Sequence, residues 1–420
     1  MRRLRWSRRL ALTALPAVVV TALAAPVAVA DAGAGASPAT APVRSAPATP
    51  LSLALPAPTG PHQVGKVDLH LVDRSRPDPW VEGRPYRELM ISVWYPARHA
   101  DHHPVAPHLS PGAAADLDRN DVERYFGVPS GSVDWAGTRT HAHVGAPVDR
   151  RGGPRPVVLF SSGFQSPRTF NTVLVEDLAS RGYVVVTVDH TYDAMQVEFP
   201  GGRIERGRAS GENPADVETA FTTRVADTRF VLDQVAALDQ GRNPDVDGAR
   251  LPVGLRGALD LSRVASAGFS LGGAAAAQVT HDDRRVVAGV NIDGRMYGSV
   301  VEAGLDRPFL LLANEQHTRE RDTSWASFRK AQRGWVRELN FAGAAHISFS
   351  DVQALLPQFA TRLGVPADRV ATLIGTIDPG RSLAAQRAYL TAFLDLHLRQ
   401  RPTSLFDGPS PAHPDVRLVP

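Results

Sequence analysis

Five runs of the chain are apolar or small at consecutive positions rather than at alternate ones. They are Pro156 to Ser162, Tyr183 to Asp189, Val264 to Ala267, Val286 to Ile292 and Phe309 to Ala313. A strand that is apolar throughout is buried on both faces, which is the habit of parallel strands covered by helices. Helical spacing lies between the runs. Thr169 to Arg181 repeats through Val173, Leu174, Leu178 and Ala179, with Gly182 placed as a C-cap, and Val217 to Leu238 forms a second helix. The alternation predicts an α/β fold, with a mostly parallel central sheet and helices on both faces. Ligands of such sheets bind at the carboxyl ends of the strands. The residues that close each apolar run are therefore the ones to inspect.

One of those closures is Gly268-Phe269-Ser270-Leu271-Gly272, followed by Gly273 and four alanines. A serine set in Gly-x-Ser-x-Gly between a strand and a helix is the pattern of a nucleophile elbow. The sharp turn lifts the hydroxyl out of the sheet. It also aims the N-terminus of the next helix at the reaction centre, where a developing oxyanion is stabilised. The competing reading is a plain Gly/Ser helix cap. Strand before, helix after and the glycine pair Gly272-Gly273 favour the elbow, and with it a serine hydrolase.

Composition removes several alternatives. The 420 residues include no cysteine, so disulfides, a lipid-attachment cysteine and a cysteine nucleophile are excluded. The formal net charge is +3, and the basic residues are almost all scattered arginines, Lys66 and Lys330 being the lysines. There is no basic stripe with interleaved aromatics, so nucleic acid is not an expected partner. The N-terminus carries Arg2, Arg3, Arg5, Arg8 and Arg9, then an apolar stretch to Ala30, with Ala28-Val29-Ala30 before Asp31. This predicts a signal peptide over residues 1–30 and a secreted, extracellular protein. Ser7-Arg8-Arg9-Leu10 also fits a twin-arginine signal, so export by either the Sec or the twin-arginine route is consistent. Residues 31–60 read as an Ala/Pro-rich flexible linker, 61–400 as the catalytic domain and 401–420 as a polar tail. Strands are expected over Val64 to Val72 and Glu88 to Pro96, and residues 98–153 read as irregular.

With these residues in hand the chain resembles the α/β-hydrolase superfamily. More narrowly it is similar to the plasma/intracellular type II platelet-activating-factor acetylhydrolases. The resemblance runs from about Gly65 to about Leu398. It is carried by Glu88 to Ala97, Val157 to Phe164, Asp177 to His190, Gly268 to Gly273, Gly289 to Gly294 and His346 to Asp351. Two positions depart from the pattern. Ser161-Ser162-Gly163 stands where such families carry a histidine before the glycine, and Phe269 stands where histidine is common in the elbow.

Ser270 needs a base, because a serine hydroxyl is a poor nucleophile until an imidazole takes its proton. The superfamily order is Ser, acid, His, so His281, His317, His346, His397 and His413 qualify by position. His397 falls on a long C-terminal helix (383–398), His413 in the tail, and His281 at the far end of the elbow helix. His346 follows a strand-to-loop transition and matches the family segment. Asp293 closes the run Val286 to Ile292 and matches the family acid. Glu315, after the run Phe309 to Ala313, is the competing acid, and an ordinary Asp-Gly turn is the bland use of Asp293. Two backbone N–H groups, of Phe164 and of Leu271, are expected to form the oxyanion hole. Tyr192, Met195 and Phe199 are expected to bind substrate, although core packing would place the same residue types together. Asp189-His190 reads as a strand-end hydrogen-bonded pair.

His102-His103 and His141-x-His143 lack an accompanying carboxylate pattern, so no metal site is expected. The resemblance implies carboxylic esters as substrates, with a short acyl group or of phospholipid type, and no cofactor. A lipase, a general carboxylesterase, a polyester hydrolase or an amidase would use the same residues. A binding protein on a hydrolase scaffold is the alternative of another class. The partner is thus a small-molecule or lipid ester. Transient contact with a lipid surface is a further expectation if lipids are the substrate, although no clear basic amphipathic helix marks it.

Overall fold

The computed structural model describes residues 49–420. The expected signal peptide and most of the expected linker lie outside the described residues. The strands are β1 (Gln63–Asp73), β2 (Arg87–Ala97), β3 (Val105–Pro107), β4 (Arg139–Val144), β5 (Arg155–Ser161), β6 (Val184–Asp189), β7 (Gln196–Phe199), β8 (Arg203–Arg206), β9 (Leu259–Phe269), β10 (Val286–Ile292), β11 (Phe309–Asn314), β12 (Val336–Phe341) and β13 (Val416–Val419). Eleven of them form one sheet in the order β13-β12-β11-β10-β9-β5-β6-β2-β1-β4-β3, and β7 and β8 form a separate hairpin.

The centre of the sheet, from β12 across to β6, is parallel. The five apolar runs all lie there. Because both faces of these strands are covered, two apolar clusters flank them. Val158, Phe160, Val185, Val290 and Leu312 face one layer; Val157, Leu159, Val184, Val186 and Val264 face the other. This is the expected period-two division of a two-sided core. The elbow helix, Leu271–Asp282, is buried from Leu271 to Thr280. Its alanine-rich face lets it lie close to β9 and β10 beneath the long helix Pro214–Asp239.

Three stretches differ from their compositional reading. Leu51, Leu53 and Leu55 are buried with Val133, Trp135 and Phe359, so the expected linker ends before residue 51. Leu51 exchanges backbone hydrogen bonds with the Ser132 carbonyl and the Asp134 N–H, each at 2.9 Å. The alternating leucines are a strand signal that an average over an Ala/Pro-rich stretch erases. At the other end Phe406 is buried and β13 pairs with β12, so the expected tail is part of the fold. The segment read as irregular holds β3, β4 and the helices Pro111–Asn120 and Val122–Phe126. Leu117, Tyr125 and Phe126 of those helices join the same cluster as the leucines.

Candidate active site

Ser270 sits at φ 54, ψ −124, a conformation that costs a non-glycine residue of order 1–3 kcal/mol and persists only where its surroundings enforce it. Two features enforce it here. The Ser270 N–H donates to the Ile292 carbonyl at 2.7 Å, and the elbow helix begins at the next residue. The turn is also crowded. A Cβ added at Gly268 would strike the backbone of Gly272, and one added at Gly272 would strike the carbonyl of Ser161. Only glycine allows β5, β9 and the helix start to meet this closely.

The structure brings Ser270, His346 and Asp293 together. His346 Nε2 lies 3.0 Å from Ser270 Oγ, and its Nδ1–H donates to Asp293 Oδ2 at 2.6 Å. His346 opens a 3₁₀ turn, His346–Phe349, just beyond β12. Phe269 packs on its ring with centroids 4.7 Å apart. Asp293 follows β10 directly, is buried and has φ 58. Glu315 is exposed, and its carboxylate has no hydrogen-bond partner among the described residues. Its backbone N–H is turned to the Ala344 carbonyl.

The end of β11 supplies donors to Asp293 instead of an acid. The Asn314 N–H donates to Asp293 Oδ1 at 2.8 Å, and Asn314 Nδ2 to Oδ2 at 2.7 Å. His317 Nδ1 donates to Asp293 Oδ1 at 2.9 Å, and its Nε2 to Asp322 Oδ2 at 2.9 Å. Sequence order admitted His317 only as a base, and Asn314 was not singled out. Asn314 directly follows an apolar run and His317 lies three residues beyond Asn314, so asking what closes that strand would have found them.

Burial pushes the Asp293 carboxyl up, but the bonds from His317 and His346 outweigh it and hold it well below the usual range. Burial likewise pulls His317 down, while Asp293 and Asp322 outweigh that and lift it to about 9. The folded value exceeds the ordinary one, so this stabilisation is complete below about pH 6.5 and is lost as pH rises to about 9. It is on the order of 3 kcal/mol. Melting temperature should therefore fall across that window in the wild type and fall less in His317→Gln; parallel slopes would count against a charged His317.

The loop after β5 lies against the elbow, with Gly163 packed on the Phe269 ring and on Ser270. The Phe164 side chain is buried with Leu271, Val217 and Phe221. Neither the Phe164 N–H nor the Leu271 N–H donates to an acceptor among the described residues. Beside Phe269 is an apolar cavity lined by Tyr125, Phe126, Phe170, Met195 and Ile347. Of the three residues expected to bind substrate, Met195 lines this cavity. Tyr192 and Phe199 do not line this cavity. Tyr192 is buried between Arg84 and Arg208, and Phe199 packs on Met90, Val197 and the His70 ring. Larger clefts, around His62 and Arg150 and around Arg155 and Arg399, contain none of these residues.

Among the described residues no group of histidines and carboxylates is arranged to hold a metal. His141 pairs with Glu176, and His143 bonds the His103 carbonyl. Asp189 and His190 do not pair with each other. Asp189 accepts from the Arg168 N–H at 2.6 Å, and His190 bridges Ser161 and Asp227.

The model of the family "Platelet-activating factor acetylhydrolase, isoform II" matches residues 50–199 and 209–406. A protein of Arthroderma benhamiae named as a probable 1-alkyl-2-acetylglycerophosphocholine esterase is 30% identical over 386 residues, covering 87% of this chain and 94% of that protein. The platelet-activating factor acetylhydrolase of Cavia porcellus is 24% identical over 59% of each chain. The solved structure of a ferulic acid esterase from Streptomyces cinnamoneus superposes with a TM-score of 0.74 at 37% identity, covering 88% of this chain and 99% of that one. The fold is that of the α/β-hydrolases and the protein is a carboxylic ester hydrolase; the chain belongs to the platelet-activating factor acetylhydrolase isoform II family.

Proposed function

We propose that the protein is an exported serine esterase that cleaves short-acyl or phospholipid-type esters through an acyl-enzyme. The observation that carries this is the array Ser270 Oγ, His346 Nε2, His346 Nδ1 and Asp293 Oδ2, with separations of 3.0 and 2.6 Å at its two hydrogen bonds. Ser270 attacks the ester carbonyl as His346 takes its proton. Asp293 holds the ring and stabilises the imidazolium. The N–H groups of Phe164 and Leu271 receive the oxyanion. The tetrahedral adduct collapses as His346 protonates the departing alcohol. Water, deprotonated by the same ring, then releases the acid and regenerates Ser270. Export rests on residues 1–30, which lie outside the described residues. No described helix is long and apolar enough to cross a membrane.

A second reading is favoured by the aromatic lining of the cavity, Tyr125, Phe126, Phe170 and Phe269: an aromatic acyl group of feruloyl type would stack there. One experiment separates the two. The mature protein is assayed with p-nitrophenyl esters from acetyl to dodecanoyl, and with methyl ferulate. Each methylene the cavity accepts should raise kcat/KM about fourfold, from about 0.8 kcal/mol of burial, until the cavity is full. A profile peaking at acetyl or butyryl supports the short-acyl reading, and preference for the ferulate supports the other. No turnover of any ester by folded protein would sink both.

A further inference from the structure

The loop after β5 is held from beneath by one buried cation. Arg224 projects from the helix Pro214–Asp239 and is 1% exposed. Its Nη1 donates to the Ser162 carbonyl at 2.5 Å and to Ser161 Oγ at 3.1 Å, and its Nη2 donates to the Gly163 carbonyl at 2.9 Å. The other edge of the guanidinium meets Asp193, with Nε and Nη2 donating at 2.5 and 2.9 Å. Asp193 in turn accepts from the Gln165 N–H at 3.1 Å. One turn further along the helix, Asp227 bonds His190 Nδ1 at 2.9 Å, and His190 Nε2 lies 2.8 Å from Ser161 Oγ. Ser161, Ser162, Gly163 and Gln165 are each tied to this network. Phe164 is tied through neither its N–H nor its carbonyl.

Peptide planarity turns this into a statement about direction. In a trans peptide a carbonyl and the N–H that follows it point opposite ways, and no described peptide bond is cis. With the Gly163 carbonyl turned to Arg224, the Phe164 N–H points away from the guanidinium. Gly163 lies directly against the elbow, where an added Cβ would come 3.0 Å from the Phe269 ring and 3.3 Å from the Ser270 Cβ. Glycine tolerates either orientation of that peptide. A flipped peptide would put a carbonyl oxygen where negative charge develops; the Ser166 N–H, which donates to the Gly163 carbonyl at 3.0 Å, and Arg224 together oppose that flip. A planar guanidinium can hold two adjacent carbonyls and a carboxylate at once, whereas an ammonium is a single compact charge without that fork.

We propose that Arg224, braced by Asp193, is the positioning residue that sets the oxyanion donor at Phe164. This rests on the reading of Ser270 and Phe164 given above. The test compares Arg224→Lys, Asp193→Asn and Ser270→Ala with the wild type. It measures kcat and KM on p-nitrophenyl acetate and the affinity of an alkyl trifluoromethyl ketone, which adds to the serine and carries an oxyanion. Arg224→Lys should lower kcat about 100-fold, the scale of one lost oxyanion donor, with KM within about threefold. Ketone affinity should fall by the same factor, which general loosening of the fold would not produce. Asp193→Asn should lower both about tenfold, and it decides alone if Arg224→Lys does not fold. A folded variant with kcat near wild type, or with kcat lowered and ketone affinity unchanged, overturns the proposal. If Ser270→Ala remains active the site reading itself fails. If that variant is dead while the Arg224 and Asp193 variants are not, only the positioning role falls.

Discussion

Replacing Ser270 with alanine is expected to lower kcat by about 10⁵–10⁶-fold while leaving the fold intact. The serine hydroxyl and His346 act as one unit, so losing either removes nearly all of the covalent route. What survives is the polarisation of the ester by the oxyanion donors, which accelerates water attack modestly. Adding His346→Ala to Ser270→Ala should therefore cost almost nothing more, and that non-additivity separates a shared mechanism from two independent structural losses. A fluorophosphonate should label the wild type once per chain and Ser270→Ala not at all. Ester turnover persisting in a folded Ser270→Ala protein would place the chemistry elsewhere.

Asp293→Asn is expected to lower kcat about 10⁴-fold, the scale seen when the carboxylate of a serine triad becomes an amide. The cause is visible in its surroundings. Asp293 accepts from His346, from His317 and twice from Asn314, and a carboxylate offers acceptor sites on both oxygens. An asparagine keeps one acceptor oxygen and turns an NH₂ group toward a donor. Either His346 takes the wrong tautomer or the amide opposes His317 and Asn314. Glu315→Gln, at an exposed position with no bond to His346, should leave kcat within about twofold. Steady-state kinetics of the two variants side by side decides between the two carboxylates. The opposite ranking would assign the role to Glu315.

The parts of this protein that announce themselves in sequence are those fixed by neighbours in the chain. The apolar runs fall on the parallel strands because two-sided burial demands a continuous apolar sequence. Gly268-Phe269-Ser270-Leu271-Gly272 forms the expected strand-turn-helix because the crowding at Gly268 and Gly272 is local. The contacts around the site are another matter. Arg224 reaches the loop after β5 from 61 positions along the chain, and Asp293 meets His346 from 53. No periodicity records such a meeting, and a buried arginine looks in sequence like an exposed one. Tyr192 and Phe199 show the converse. Their types suit a binding pocket, but the hairpin of β7 and β8 and the arginines that stack on their rings turn them into packing elsewhere. Leu51, Leu53 and Leu55 were legible as an alternation and hidden by the composition around them.

Both margins of the large sheet are closed by very short strands, β13 of four residues and β3 of three. A sheet margin presents unpaired amide and carbonyl groups to any other chain that can align with them, and a short margin offers little length to grip. The strand beneath β13 is parallel, six residues long and continuous with the buried centre of the sheet. Losing the last few residues would leave the triad untouched and bare that strand, so clipping of the C-terminus would be felt first as self-association in storage or at high concentration, while specific activity per folded molecule stayed unchanged.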